Sequence, residues 1–127
     1  MARTARTPAQ WLCLVGGALL LARGVFGFAF LDSDFSTPGE GWHHLIHLVS
    51  GVALLAVARS AAPARTAAIA FGVGYLALAV AGIVDGDTAF GLIGADTADK
   101  TFHTVLGGAS LAAGLASRRE RVAAAPA

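Results

Sequence analysis

Charged residues are scarce in this sequence of 127 residues. Asp, Glu, Lys and Arg make up 13% of the chain, whereas a typical soluble domain contains about a quarter. Hydrophobic residues make up 56%, and a soluble domain of this size could not bury so much apolar surface. The composition therefore predicts that lipid surrounds most of the chain. It also argues against disorder and nucleic-acid binding, because both need many more charges.

Residues with specialised chemistry are also few. The one cysteine, Cys13, cannot form an internal disulfide. The sequence has no His-Glu-x-x-His motif, no phosphate-binding glycine loop, no paired carboxylates within an apolar segment and no serine beside a general base. We therefore expect a non-enzymatic protein without a bound cofactor.

Long apolar runs are what the sequence does contain. Four of them lie between the charged residues, at residues 11–31, 41–58, 66–84 and 101–117. As helices they would each extend roughly 26 to 32 Å, close to the thickness of the ~30 Å hydrocarbon core of a bilayer. Alternating strand patterns are absent, so helices are the expected spanning form. The sequence predicts an all-α fold, a four-helix transmembrane bundle formed by the whole chain as one domain.

The charges outside these segments are sorted by sign. Arginines occupy the regions that share one side of a four-span protein: Arg3, Arg6, Arg59, Arg65, Arg118, Arg119 and Arg121. Acidic residues occupy the two other loops: Asp32, Asp34, Glu40, Asp85, Asp87, Asp96 and Asp99. The positive-inside rule then predicts a multi-pass protein of a bacterial plasma (inner) membrane. Its N- and C-terminal tails, residues 1–10 and 118–127, would be cytoplasmic.

The second and fourth segments share a His-x-x-x-Gly pattern, with His47 and Gly51 aligned to His103 and Gly107. Segments one and three align less well. We therefore predict two tandem helical hairpins related by a pseudo-twofold axis along the membrane normal. Small residues let membrane helices approach closely. Gly51 and Gly107 are thus predicted packing positions, and a crossing there would bring His47 and His103 together.

Several polar residues are candidates for ligand binding: His43, His44, His47, His103, Arg23, Asp96 and Asp99. Two histidines on facing helices could be axial haem ligands. Three histidines with Asp96, Asp99 or Glu40 could instead form a divalent metal site. The sequence alone favours a third interpretation, in which the histidines only form hydrogen bonds near the membrane interface.

Arg23 is the only charge within the four segments. A charge at this depth costs at least ~2.5 kcal/mol unless it is paired or reaches the interface. Candidate partners are Asp32, Asp34, Asp85 or a loop carbonyl. Arg23 could tether the two hairpins, or it could bind an anionic headgroup or take part in ion passage.

Three motifs carry a resemblance to a known family. They are Arg6-Thr-Pro-Ala-Gln10, His43-x-x-x-His47-x-x-x-Gly51 and Thr97-Ala-Asp99-x-x-x-His103. Together with the glycine-rich first segment, they resemble an uncharacterised family of small four-helix membrane proteins, a domain of unknown function common in high-GC Gram-positive bacteria. The resemblance covers nearly the whole chain. It implies four spans and no established activity.

Three functional hypotheses follow from the sequence. The first is a non-enzymatic membrane protein that acts through the lipid bilayer or through a protein partner, including another copy of itself. The second is a haem- or metal-binding membrane protein that uses histidines of the second and fourth segments. The third is an oligomeric transporter linked to protons or other ions.

Overall fold

The chain folds into four helices and one small β-hairpin. The computed structural model describes the backbone of residues 5–124 and the side chains of residues 5–117. Its elements, in chain order, are α1 (Pro8–Phe30), α2 (Glu40–Val57), α3 (Ala61–Asp85), β1 (Thr88–Ala89), β2 (Ile93–Gly94) and α4 (Thr97–Ala124). The predicted all-α, four-helix architecture is confirmed. Arg3 and the side chains of Arg118, Arg119 and Arg121 lie outside the described residues.

The four apolar segments overlap the four helices, although α1, α3 and α4 begin earlier than the segments do and α4 continues beyond residue 117. α3 starts at Ala61 because Pro63 falls in its first turn, where the missing N–H of proline is tolerated. α1 and α3 are long and apolar enough to cross a membrane, by their length and composition.

The motif Arg6-Thr-Pro-Ala-Gln10 starts α1. Thr7 is the N-cap, and its hydroxyl accepts a hydrogen bond from the Gln10 backbone, while the Gln10 side chain accepts one from the Thr7 backbone. Pro8 occupies the first helical position, where it is favoured. This capping box satisfies N–H groups that the helix itself leaves without partners.

Residues near the start of α1 also form hydrogen bonds with residues at the ends of other helices. The Gln10 amide donates hydrogen bonds to the carbonyls of Ala58 and Arg59, just after α2. The Ser117 hydroxyl on α4 accepts a hydrogen bond from the Ala9 backbone at 2.8 Å. The start of α1, the end of α2 and the later part of α4 therefore meet at one end of the bundle, and the helices run up and down.

Glycines let the helices pair closely within each hairpin. A Cβ added to Gly51 would lie 2.8 Å from the Gly17 carbonyl of α1, and one added to Gly72 would lie 2.9 Å from the Gly107 carbonyl of α4. The same glycine contact thus occurs in both hairpins, which agrees with the repeat in the sequence. A pseudo-twofold axis relating the hairpins stays a prediction.

Gly51 and Gly107 are packing positions, but the second and fourth segments do not cross there. These glycines pack against α1 and α3, respectively. In the part of the chain that the structure describes, the backbones of α2 and α4 make no close contact, because the two helices lie diagonally across the bundle. Any meeting of α2 with α4 must therefore be made by long side chains.

A β-hairpin lies at the end of the bundle opposite the chain termini. β1 and β2 pair antiparallel and are joined by the three residues Phe90, Gly91 and Leu92. Phe90 and Gly91 both have positive φ, and the Leu92 N–H donates a hydrogen bond to the Ala89 carbonyl, which closes a tight turn. The hairpin buries Ala89 and Ile93 against the helices. Strands of two residues are too short to be read from an alternating sequence pattern.

Candidate metal centre

Three histidines converge at the centre of the bundle. His43 and His47 lie one turn apart on α2 and therefore share a face, and His103 projects from α4 across the diagonal. Their exposed fractions are only 3%, 2% and 1%. One potential ligand nitrogen from each lies within 4.8 Å of the others. The sequence-based expectation that His47 and His103 lie near each other therefore agrees with the structure, and His43 joins them.

The three imidazoles each have a nitrogen without a partner. The Nε2 atoms of His43, His47 and His103 are buried and make no hydrogen bond to any residue that the structure describes. Buried polar side-chain atoms almost always have a partner, and an orphan often marks the place of an ion or a water molecule. Three buried histidines with such nitrogens, so close together, are a candidate site for a metal ion.

Aromatic rings pack against the cluster. Tyr75 on α3 meets His103 edge-on with 5.2 Å between ring centroids, and Phe102 packs against His47 at 5.8 Å. Phe71 stacks on Tyr75 at 4.0 Å. The rings make an apolar environment in which electrostatic interactions are strengthened.

Tyr75 is the site residue that the sequence analysis missed. Its hydroxyl is buried and has no hydrogen-bond partner among the described residues. It is the only tyrosine of the chain, and that rarity was the one available signal. A single tyrosine within an apolar segment is otherwise typical of ordinary membrane helices.

Two carboxylates lie near His43, which is the cluster histidine nearest to the acidic loops. Glu40 Oε2 lies 3.4 Å from His43 Nδ1, and Asp99 Oδ1 lies 4.0 Å from His43 Nε2. The Glu40 carboxylate occupies this place because Gly94 on β2 has no side chain, and a Cβ there would collide with Glu40 Oε1. His43 is thus the histidine that connects the buried cluster with the acidic end of the bundle.

Asp96 and Asp99 have different roles, although the sequence treats them alike. Asp96 Oδ1 accepts a hydrogen bond from the Asp99 backbone at 2.7 Å, and Asp99 Oδ2 accepts one from the Asp96 backbone at 3.2 Å. This reciprocal pair caps the start of α4. The hydrogen bond from the Asp99 backbone lowers the pKa of Asp96, whereas burial raises the pKa of Asp99. Asp96 is exposed and engaged in the cap, while Asp99 keeps Oδ1 directed at His43.

A cavity of about 350 Å³ joins the cluster to the acidic loops. His43 forms part of its wall, together with the carboxylates of Glu40, Asp87, Asp96 and Asp99. The cavity gives a small hydrated ion room to reach His43. His47 and His103 lie behind His43 and do not line it.

Comparison with known proteins places the chain in a family. The model of one family matches residues 10–116, which is most of the chain. The chain belongs to the family described as Domain of unknown function (DUF4383). The resemblance drawn from the sequence is confirmed. No curated protein and no solved structure matches the chain. The match to DUF4383 takes in every residue of the histidine cluster, but the family description assigns no chemistry to them.

His44 of this DUF4383 protein lies outside the cluster, although the sequence made it a candidate ligand. Its Nε2 is 2.9 Å from the Asp32 carbonyl, and its ring meets Phe28 edge-on at 5.6 Å. A Cβ on Gly27 would collide with the His44 ring. His44 therefore packs α2 against the end of α1 and is already hydrogen-bonded.

Arg23 does not form the ion pairs expected from the sequence. Its guanidinium lies over the Phe102 ring at 5.6 Å from the centroid. No carboxylate of the described residues lies within ion-pair distance of it, so the predicted pairing with Asp32, Asp34 or Asp85 is wrong. Arg23 is exposed and lines the acidic cavity, and a cation–π contact holds it there.

Proposed function

We propose that this DUF4383 protein is a four-span membrane protein that binds one divalent transition-metal ion through His43, His47 and His103. One observation carries the proposal: three buried histidines, each with an unpartnered Nε2, offer ligand nitrogens that lie within 4.8 Å of one another. Neutral imidazole is a preferred ligand of zinc and of neighbouring transition metals. A site of three histidines leaves a fourth position for water or for a carboxylate such as Asp99.

The distances suit a small ion. In a tetrahedral zinc site with Zn–N bonds of about 2.0–2.1 Å, ligand nitrogens lie about 3.3 Å apart. The histidine nitrogens lie within 4.8 Å of one another, which is within about 1.5 Å of that separation.

The position of His43 favours a single ion over haem. A porphyrin held between His47 and His103 would need a flat slot between the two rings. The His43 ring occupies that region, with centroids 4.6 Å from His47 and 5.4 Å from His103. The Tyr75 ring packs against His103 and the Phe102 ring packs against His47, so these rings also take up space beside the two histidines.

The membrane part of the proposal rests on exposed apolar surface and on the sorting of charge. Large apolar side chains are exposed along the outer faces of the helices: Val15, Leu19, Val25, Phe26, Val73, Val80, Ile83, Val84, Val105 and Leu115. A soluble protein rarely exposes so much contiguous apolar surface. With the arginine-rich ends in the cytoplasm of a bacterial cell, the metal centre lies in the outer half of the plasma membrane. Lipid is the partner that this arrangement requires.

Elemental analysis of the purified protein tests the proposal. We expect protein extracted in a mild detergent and loaded with Zn²⁺ or Co²⁺ to retain about one ion per chain after extensive dialysis. The Co²⁺ form should show the visible absorption of a four-coordinate site with nitrogen ligands. Dialysed protein that holds no ion above the level of a detergent blank, with either metal, would contradict the proposal. The histidines would then be interior residues of a bundle that acts through lipid or protein partners.

A further inference from the structure

Several carboxylates at the acidic end of the bundle line cavities. The cavity of about 350 Å³ beside His43 adjoins a second cavity of about 330 Å³, and both are lined by Glu40, Asp87 and Gly94. Asp32 and Asp34 line the second cavity, and Asp96 and Asp99 line the first. Among the residues that the structure describes, Arg23 is the only arginine or lysine that lines either cavity. This excess of negative charge favours cations and opposes anionic ligands.

His43 connects the acidic cavities with the buried histidine cluster. The side chain is only 3% exposed, and its Nε2 has no hydrogen-bond partner among the described residues. Nδ1 lies 3.4 Å from Glu40, on the cavity side, and Nε2 lies 4.0 Å from Asp99, which also lines the cavity. The His43 ring lies 4.6 Å from the ring of His47. An ion that leaves the cavity therefore meets His43 before either of the other two histidines.

We propose that the two acidic cavities form a capture site for hydrated divalent cations, from which the ion passes Glu40 and Asp99 to His43 and then to the buried three-histidine centre. This inference rests on the proposed metal-binding function. It assigns the acidic loops a kinetic role, since they raise the local concentration of cations and thereby the rate of loading. The centre itself determines how long the ion stays.

Asp87 offers the cleanest test because it lines both cavities and makes no described side-chain contact with a histidine. We expect Asp87→Asn to lower the association rate constant for Co²⁺ severalfold at low ionic strength, and Asp87→Asn combined with Glu40→Gln to lower it about tenfold or more. The wild-type rate should fall as salt is added, and the rate of the double variant should fall less. The number of ions bound should stay at one.

Asp85→Asn is the matched control. It removes the same charge from the same loop, but Asp85 lies outside both acidic cavities and accepts a hydrogen bond from the Phe90 backbone. It should leave the association rate close to that of the wild type. Stopped-flow recording of the Co²⁺ absorption gives the association rate, and chelator chase gives the dissociation rate. If Glu40 only positions a metal ligand, Glu40→Gln should raise the dissociation rate of Co²⁺ and leave the association rate unchanged.

The two proposals fail in different ways. If the wild type binds no Co²⁺ at equilibrium, the metal-binding function is wrong and the capture site falls with it. If the wild type binds one ion but Asp87→Asn, the double variant and Asp85→Asn all associate at its rate, only the capture site is overturned. A control that slows association as much as Asp87→Asn would also overturn it, because the effect would then come from net charge alone.

Discussion

Replacement of His47 by glutamine is expected to lower the affinity for Zn²⁺ at least about a hundredfold. Loss of a residue that merely supports a metal ligand commonly costs 10- to 100-fold in affinity, and loss of the ligand itself costs more. Glutamine keeps a polar side chain of similar length, but its amide is a poor ligand for zinc. His47 is 2% exposed and belongs to the three-histidine cluster. Competition with a chromophoric zinc chelator in detergent solution measures the change.

His44→Gln is the matched control for this experiment. His44 is buried on the same helix, but its Nε2 already pairs with the Asp32 carbonyl and the residue lies outside the cluster. The glutamine amide can donate a hydrogen bond to that carbonyl in its place. We expect this variant to keep the wild-type affinity. Equal affinities of His47→Gln and the wild type would refute the assigned ligands, and so would an equal loss in the two variants.

Gly51→Ala is expected to destabilise the bundle. The added Cβ would lie 2.5 Å from the Leu21 nitrogen and 2.8 Å from the Gly17 oxygen, and both are backbone atoms. Because a backbone cannot move aside as a side chain can, α1 and α2 must separate. Overpacking of this kind costs ~1–3 kcal/mol. The separation also moves the helix that carries His43 and His47, so Zn²⁺ affinity should fall in the same variant.

Gly108→Ala provides the comparison for Gly51→Ala. No atom of the described residues lies within 4 Å of a Cβ added to Gly108 in the middle of α4. Alanine is favoured over glycine in a helix by up to ~1 kcal/mol, so this variant should unfold at the wild-type free energy or somewhat above it. Titration with a denaturing detergent, followed by circular dichroism, measures the free energy of unfolding of both variants. Equal free energies of unfolding for the two variants would contradict the described contact between α1 and α2.

Much of the fold could be predicted because the sequence separates apolar runs from charges so cleanly. Four apolar segments between charged loops allow few arrangements other than four helices. The fourth segment begins at residue 101, whereas α4 begins at Thr97, because Asp96 and Asp99 form a cap with the spacing of a helix start. The β-hairpin was not predicted, because its strands of two residues carry no pattern and its turn depends on backbone angles at Phe90 and Gly91.

The site was predicted in part, and partly for the wrong reason. The spacing of His43 and His47 placed them on one face of a helix. Their approach to His103 was attributed to a crossing of α2 with α4, yet the glycines pack within each hairpin and leave α2 and α4 diagonal to each other. The imidazoles are long enough to meet across that diagonal. Which helices pair depends on tertiary packing, which a pattern of small residues in one chain does not determine.

The sequence also could not predict that similar residues have different roles. Asp96 and Asp99 are both acidic and near the start of α4, but the direction of the first helical turn leaves only Asp99 facing His43. His43 and His44 are neighbours, but successive helical positions point about 100° apart. One therefore faces the cluster and the other faces α1. Arg23 was expected to find a carboxylate, and the ring of Phe102 holds it instead.

X-ray absorption spectroscopy of the zinc-loaded protein tests the metal centre most directly. The account predicts about three imidazole nitrogens at ~2.0–2.1 Å, with a fourth light-atom ligand from water or Asp99. In His47→Gln the imidazole contribution should weaken in the ions that remain bound. A spectrum of wild-type protein with oxygen ligands alone, and no imidazole signature, would show that zinc binds only to the acidic loops and would contradict a three-histidine centre.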